Sequence, residues 1–500
     1  MEENYSSNKQ EGSLVLSGPI GAATSTELPL PGSSKITRRA IQTVAVLTRH
    51  FAPLLARRTR VRPAEFASAL RAAFEALGAS YIKLGQLFAS SPSLFGEDLA
   101  AACRALLDAG SPVPIAEVRS AVECELGRPL AEVFAEFEPE PIGRASLAVV
   151  HRGTTHDGRK VAVKILRPGI EATVAADVVL MKPVLEFIIA FVGSEIAGPL
   201  TQFVHAFKEQ VTEELDLRRE AQTMLRHRAL LAHSDTPLLV IPEPYLDLSS
   251  RRILVMEFLD GFPVDDLSRV FALGIDPRPV VEQAVRAWFS TTIRHGVFHG
   301  DVHAGNLLLL CDGRLGVVDW GIEGRLDLDT HRFFLHVLQA CLGCETEWDD
   351  VSKWLAQSVG PGLTRTVGIG AHEFPEFFRT HIEPVLTQPF GQATLAALVA
   401  GLQTFGQQAD ATYRRSLWGG ISRWLKARII GKGEYDAQPE NGFDRSLLLL
   451  GKQLVYFERY GKLFLPDASL LEDRAFFTGL LPSTQRRTAA LGSADGVVQS

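Results

Sequence analysis

The clearest β-type patterning in this chain lies between residues 300 and 320. Leu307 to Leu310 is apolar, Asp312-Gly313 has turn composition, and Leu315 to Val318 is largely apolar again, which predicts a hairpin centred on Gly313. A second apolar run, Val161-Ala162-Val163-Lys164, follows a turn signal at Asp157-Gly158. A third, Val255-Met256-Glu257-Phe258-Leu259, passes into a polar connector. Elsewhere the spacing is helical. Ile41, Val44, Leu47, Phe51, Leu54 and Leu55 recur mostly at three and four residues, predicting an amphipathic helix, and Gln202 to about His233 reads as a further helix. From about His331 to Phe464 the pattern is mostly helical, broken at Gly360-Pro361-Gly362, with an apolar cluster between Leu447 and Phe457. No apolar run reaches the roughly 18 to 20 residues of a spanning helix. Pro183 to Leu200 comes closest, and Glu186 and Glu195 interrupt it.

Chemistry-bearing residues sit at the ends of these runs. His299-Gly300-Asp301-Val302-His303-Ala304-Gly305-Asn306 leads into the predicted hairpin, and Val317-Val318-Asp319-Trp320-Gly321 leaves it. An Asp, an Asn five residues on and a second Asp thirteen beyond that form the set with which a kinase-like site holds a nucleophile and Mg2+-bound phosphates. The hairpin reading puts Asn306 and Asp319 at opposite ends of one ribbon, two oxygen ligands for Mg2+, a hard cation that completes its shell with phosphate and water. His299 and His303 flank Asp301 and read as positioning the loop. Lys164, ending its strand, suits the α/β-phosphates. A helical carboxylate must hold that lysine, and Glu213, Glu214 and Glu220 all lie in the Gln202 to His233 run, where spacing does not separate them. Glu257 and Phe258 stand where an adenine hinge belongs. These features together imply binding of Mg-ATP or Mg-ADP.

At this point the residues resemble the UbiB/ABC1/ADCK/Coq8 group of atypical kinases over roughly Phe66 to Asp329. Lys83-Leu84-Gly85-Gln86 is similar to that group's KxGQ helix, on which Lys83, Gln86 and Ser90 would share a face. Pro141-Ile142-Gly143-Arg144-Ala145-Ser146 resembles its alanine-rich nucleotide loop, with Gly143 and Arg144 departing from alanine. Glycine in such a loop would let backbone approach phosphate more closely. Two further departures are Val149 in place of the group's common Gln and Trp320 in place of Phe. Glu214-Leu215-Asp216 matches the group's ExD motif, and this resemblance selects Glu214 as the partner of Lys164. It gives Asp216, with Lys83 and Gln86, a role in occluding the pocket where a peptide substrate would lie.

The resemblance implies an α+β, bilobal protein-kinase-like fold. The expected organisation is a disordered tail over 1–34, a helical KxGQ extension over 35–130, an N-lobe over 131–260, a helical C-lobe with extension over 261–484, and a second tail over 485–500. The implied activity is an Mg-ATP-dependent ATPase or phosphotransferase supporting isoprenoid quinone or related lipid biosynthesis. A protein or small-metabolite kinase and a non-catalytic nucleotide-sensing scaffold of a biosynthetic complex are the alternatives.

Composition narrows the setting. With 500 residues and 46% hydrophobic residues the chain can bury a large core, and its net charge of −7 gives no reason to expect nucleic-acid binding. Local charge says more. Residues 28 to 64 hold eight Lys/Arg and no acid, so the predicted helix is basic, as suits either an anionic membrane surface or a solvated face. Arg414 to Lys432 repeats this with six basic residues beside Trp418 and Trp424. An isoprenoid lipid or quinone precursor is the expected ligand class, and the expected location is cytoplasmic, peripheral on the inner face of a membrane. The first residues lack the basic start and apolar core of a secretory signal, and five cysteines in 500 residues agree with a reducing compartment. Cys341-Leu342-Gly343-Cys344 is a lone CxxC and reads as packed or free thiols, since zinc needs two further ligands.

Overall fold

Every residue from Val161 to Leu166 is buried, because the strand they form is covered on both faces. The computed structural model describes residues 32–56, 62–89, 97–106, 112–192, 207–232, 234, 236–358, 374–392 and 445–481. Ser90, the two expected tails but for a few residues, the Gly360 to Gly362 break and the Arg414 to Lys432 segment lie outside them. The described chain opens with helices α1 (Ser33–Ala56), α2 (Pro63–Leu77), α3 (Ala79–Ala89), α4 (Glu97–Cys103) and α5 (Ile115–Leu126). Strands β1 (Phe134–Arg144), β2 (Ala148–Thr155) and β3 (Lys160–Leu166) follow, then α6 (Ile170–Val192) and α7 (Leu217–Leu231). Next come β4 (Leu239–Val240), β5 (Ile253–Glu257) and β6 (Gly261–Pro263), then α8 (Arg278–His295).

β1, β2, β3 and β5 form one antiparallel sheet in that order. Val118 and Val122 of α5 pack with Val149, Val161, Val163 and Val255 on one face. Ala148, Ala162, Leu166, Leu254 and Met256 join the main core on the other. Beyond α8 lie β7 (Val297–His299), β8 (Leu307–Leu310), β9 (Leu315–Val317) and β10 (Glu323–Arg325). Helices α9 (Leu328–Cys341), α10 (Glu347–Ser358), α11 (Phe374–Thr387), α12 (Arg445–Phe464) and α13 (Arg474–Leu480) complete the described chain. The architecture is the expected α+β one, a small antiparallel sheet above a mostly helical lobe.

The hairpin around Gly313 forms as the apolar pattern predicts. Gly313 adopts φ +83°, which glycine enters without a Cβ clash, and Leu310 N–H donates to Arg314 O at 2.8 Å. Because the strands are antiparallel, Leu307 pairs with Val317, and Val318 N–H donates to Asn306 O at 2.9 Å. Asn306 and Asp319 therefore stand side by side at the open end of the hairpin, not at opposite ends of a ribbon.

The predicted helix from Gln202 to His233 is two helices within the described residues. Residues 207–214 are helical, the chain breaks at Leu215 and Asp216, and α7 restarts at Leu217. Asp216 takes an extended conformation and its carboxylate accepts a hydrogen bond from Arg218 N, the N-cap of a new helix. Leu215 is fully buried and Leu217 N–H donates to Arg251 O at 2.9 Å, so the break is anchored in the core.

Helix α1 divides its residues between two environments. Phe51 and Leu54 pack into the core, while Ile41 and Val44 are 66% and 63% exposed. Arg39 is no solvated base: its guanidinium grips Asp177 of α6 at 2.5 and 2.9 Å and donates to Leu77 O at 2.6 Å. Cys341 and Cys344 are buried free thiols, and burial pushes the Cys341 thiol up to about 12.

Candidate active site

Lys164 enters the site from β3, near the middle of the sheet. Its Nζ donates to both carboxylate oxygens of Glu220, at 2.9 and 2.8 Å, and to Asp319 Oδ1 at 2.7 Å. Burial works against the ammonium, but the charges of Asp319 and Glu220 outweigh it and hold Lys164 protonated. Desolvation also works against the Asp319 carboxylate, and Lys164 overrides it, keeping Asp319 below the usual carboxylate range. Glu220, with its side chain only 3% exposed, is pushed upward by burial against the pull of Lys164.

The carboxylate that holds Lys164 is therefore Glu220 and not Glu214. Glu214 instead pairs with Lys83 of α3 at 2.9 Å and accepts from Gln210 Nε2 at 2.9 Å. The physical cause is the helix break. Glu214 closes the helix before it and Glu220 lies in the first turn and a half of α7, so the two do not share one helical face. The Asp216 N-cap could have revealed this in the sequence, since Asp before Leu-Arg-Arg-Glu is a helix-start signal.

Asp216 itself is held by Arg218, at 2.8 and 2.7 Å, and serves as that cap. Of the three residues read as occluding the pocket, Lys83 enters the site, where its charge acts on both Asp301 and Asp319. Gln86 donates from Nε2 to Leu106 O at 3.0 Å, tying α3 to the turn Arg104–Leu106.

The loop bearing Asp301 is built from main-chain contacts. Gly300 lies so close to Ile322 that a Cβ would meet Ile322 Cγ2 at 2.6 Å. His299 Nδ1 accepts from Asp301 N–H at 3.0 Å, which leaves Nε2–H to donate to Val318 O at 3.3 Å. Burial pushes the His299 imidazole down to about 4, so it is neutral and positions the loop, as the sequence suggested. Asn306 donates from Nδ2 to Asp301 O at 2.8 Å. Burial opposes ionisation of Asp301, but the charges of Lys452, His303 and Lys83 outweigh it and hold its carboxyl low. Lys452, which sequence reasoning did not find, donates to Asp301 Oδ1 at 2.6 Å.

The expected nucleotide loop spans the end of β1 and the turn into β2. Gly143 and Arg144 are paired strand residues, opposite Val150 and Val149, and a Cβ at Gly143 would meet Val150 at an ordinary 3.5 Å. Glycine is therefore not sterically required there. Ala145 and Ser146 lie in the turn, and Arg167 grips Ala145 O at 2.8 Å. In the expected hinge, Glu257 N–H donates to Glu243 O and Phe258 N–H to Lys160 O, so both main-chain donors are engaged.

Asp319 has φ +59°, a conformation that non-glycine residues adopt at a cost of order 1–3 kcal/mol. Trp320 behind it is buried, donates from Nε1 to Val317 O at 2.8 Å, and lies against His299 and His227. Glu323 of β10 ties this wall to α7, accepting from Arg226 at 2.6 Å and pairing with His227 at 3.1 Å. Burial works to raise its carboxyl, yet the His227 hydrogen bond and the charges of Arg325 and Arg226 hold it down to about 2. A depressed folded-state pKa stabilises the fold above the unfolded value of about 4.5 and is lost as pH falls toward 2. Glu323→Gln is therefore expected to destabilise by on the order of 2 kcal/mol at neutral pH. Chemical denaturation should show the gap to wild type narrowing between pH 4.5 and 2. A gap independent of pH would sink this assignment.

A strand lysine gripped by a helical carboxylate beside an Asp, Asn and Asp set is the site of a kinase-like protein. The family model for the ABC1 atypical kinase-like domain matches residues 105–352. An uncharacterized aarF domain-containing protein kinase of Arabidopsis thaliana chloroplasts is 33% identical over 416 residues, covering 81% of this chain and 73% of that protein. An uncharacterized protein of Mycobacterium tuberculosis H37Rv is 33% identical over 405 residues, 80% of this chain and 75% of the other. The probable protein kinase UbiB of Marinobacter nauticus is 32% identical over 325 residues, 64% of this chain and 58% of the other. The chain belongs to the ABC1/UbiB family of atypical kinase-like proteins.

Proposed function

We propose that this protein is an Mg-ATP-dependent ATPase or phosphotransferase acting in isoprenoid quinone or related lipid biosynthesis. The observation that carries this reading is the convergence of Lys164, Glu220 and Asp319 within 2.9 Å contacts at the end of the hairpin that also bears Asn306. The donor set suits Mg2+. Asn306 commits its Nδ2 to the Asp301 carbonyl, which leaves its amide oxygen as a ligand, and Asp319 has one carboxylate oxygen beyond the one that Lys164 holds. Bound to these two residues, Mg2+ would draw charge from the phosphate oxygens.

The chain's own residues account for the rest. Lys164 offsets the α/β-phosphate charge, and Glu220 keeps it aimed. Asp301 orients the attacking hydroxyl or water. As that oxygen bonds to the γ-phosphorus, the bond to the β–γ bridging oxygen breaks, its electron pair leaves on ADP, and the nucleophile's proton passes through Asp301 to solvent. With the Glu257 and Phe258 donors engaged, the main-chain N–H of Leu259, which has no partner among the described residues, is the hinge donor for adenine.

Lys83, paired with Glu214 beside the two catalytic aspartates, supports a water or small-lipid acceptor over a peptide. The link to quinone metabolism rests on the UbiB relatives. Peripheral association with an anionic, cytoplasmic membrane face is supported by the outer surface of α1, where exposed Lys35, Arg38 and Arg49 accompany Ile41 and Val44. Among the described residues no helix is long and apolar enough to cross a membrane.

Purified protein is expected to release phosphate from ATP only with Mg2+, several-fold faster with anionic than with neutral phospholipid vesicles, and to stop on chelation. Binding of Mg-nucleotide with no turnover under any of these conditions would overturn the catalytic reading in favour of a scaffold. Transfer of labelled γ-phosphate to a protein or small metabolite would redirect it to a kinase.

A further inference from the structure

Asp301 is held from beyond the segment that the ABC1 domain model matches. Lys452 lies on α12, 151 residues further on, whereas the matched segment ends at residue 352. The paired side chains are only 17% and 15% exposed. The same helix grips the loop on both sides of Asp301. Gln453 Nε2 donates to Gly300 O at 2.6 Å, Gln453 Oε1 accepts from Val302 N–H at 3.0 Å, and Tyr460 donates to Val302 O at 2.8 Å. Gly300 and Val302 are thus fixed through their backbones, and Asp301 through its charge.

Two features set Lys452 apart from a packing residue. Gln453 and Tyr460 already clamp the backbone, and a buried ion pair adds little to stability compared with apolar packing. The loop itself, Val302-His303-Ala304-Gly305 between Asp301 and Asn306, contains no Lys or Arg. A fixed cation beside the acceptor must come from elsewhere, and Lys83 is already committed to Glu214 at 2.9 Å.

We propose that Lys452 is a positioning residue for phosphoryl transfer, an inference that rests on the proposed function. It holds Asp301 by Oδ1, leaving Oδ2, which has no partner among the described residues, for the acceptor. Its charge offsets that of the carboxylate where an anionic γ-phosphate must approach.

The test measures kcat, KM for ATP and nucleotide-binding stoichiometry for wild type, Lys452→Met, Lys452→Gln and Lys452→Arg, with Asp319→Asn as reference. Per nucleotide-binding site, kcat is expected to fall roughly 10- to 100-fold in the Met and Gln variants, with KM changed less than about threefold. Lys452→Arg, which keeps the charge, is expected to stay within about fivefold of wild type. If Lys452→Met does not fold, Lys452→Gln carries the test, since its amide can still donate to Asp301. Wild-type turnover that Asp319→Asn removes but Lys452→Gln leaves within about twofold overturns this inference alone. Equal losses in all three variants, in step with lowered melting temperatures, overturn it in favour of packing. No turnover in wild type overturns it together with the proposed function.

Discussion

Asp319→Asn is expected to lower Mg2+-dependent phosphate release by at least roughly a thousandfold, since a charge at the metal and phosphate centre is lost. The substitution isolates chemistry from folding. Asn tolerates the left-handed backbone that Asp319 adopts at φ +59°, so the turn is kept. The side chain is 43% exposed, and Lys164 retains Glu220 at 2.8 Å, so the melting temperature should move by a few degrees at most. Thermal shifts with ADP alone and with Mg-ADP separate the two losses. The variant should respond to ADP nearly as wild type does, with the extra shift from Mg2+ gone. Turnover within tenfold of wild type would remove Asp319 from the metal site.

Residues whose placement depends on a local apolar pattern can be located in the sequence. Asp301, Asn306 and Asp319 flank apolar strands and Lys164 lies within one, but the apolar pattern alone puts Asn306 and Asp319 at opposite ends of a ribbon, and only the antiparallel register brings them side by side. Glu214 and Glu220 mark where that legibility stops. Both lie in a run that looks helical throughout, and which one faces β3 depends on a break only two residues wide, at Leu215 and Asp216. The resemblance selected the wrong acid for Lys164, although it pointed to the segment that holds both.

Helix α1 shows a second limit, since periodicity alone does not say which neighbour a face meets. Of its arginines, Arg39 reaches into the core to Asp177, while Arg38 and Arg49 stay outside. Lys452 was not legible at all. It meets Asp301 across 151 residues through helix packing, and nothing in the apolar cluster around it marks one lysine as special.

The reassignment of the lysine partner makes the sharpest remaining prediction. Glu220→Gln is expected to reduce kcat/KM for ATP roughly 100-fold, because Lys164 loses the anion that aims it and leans toward Asp319. Glu214→Gln leaves both Lys164 contacts in place and frees Lys83, so its effect should stay within about tenfold. A pairwise comparison strengthens the distinction. Lys164→Met combined with Glu220→Gln should cost little more than either alone, as members of one contact are non-additive. Lys164→Met combined with Glu214→Gln should be close to additive, whereas Lys83→Met with Glu214→Gln should not. The reverse pattern, with Lys164 coupled to Glu214, would mean that the working state re-forms the helix across Asp216 and exchanges the two acids. That exchange would have to break the Asp216 cap and the Leu217 to Arg251 hydrogen bond, and would expose the buried Leu215 between them. Each of these changes costs on the order of 1 kcal/mol or more, so the pairing seen here is the one expected to govern turnover.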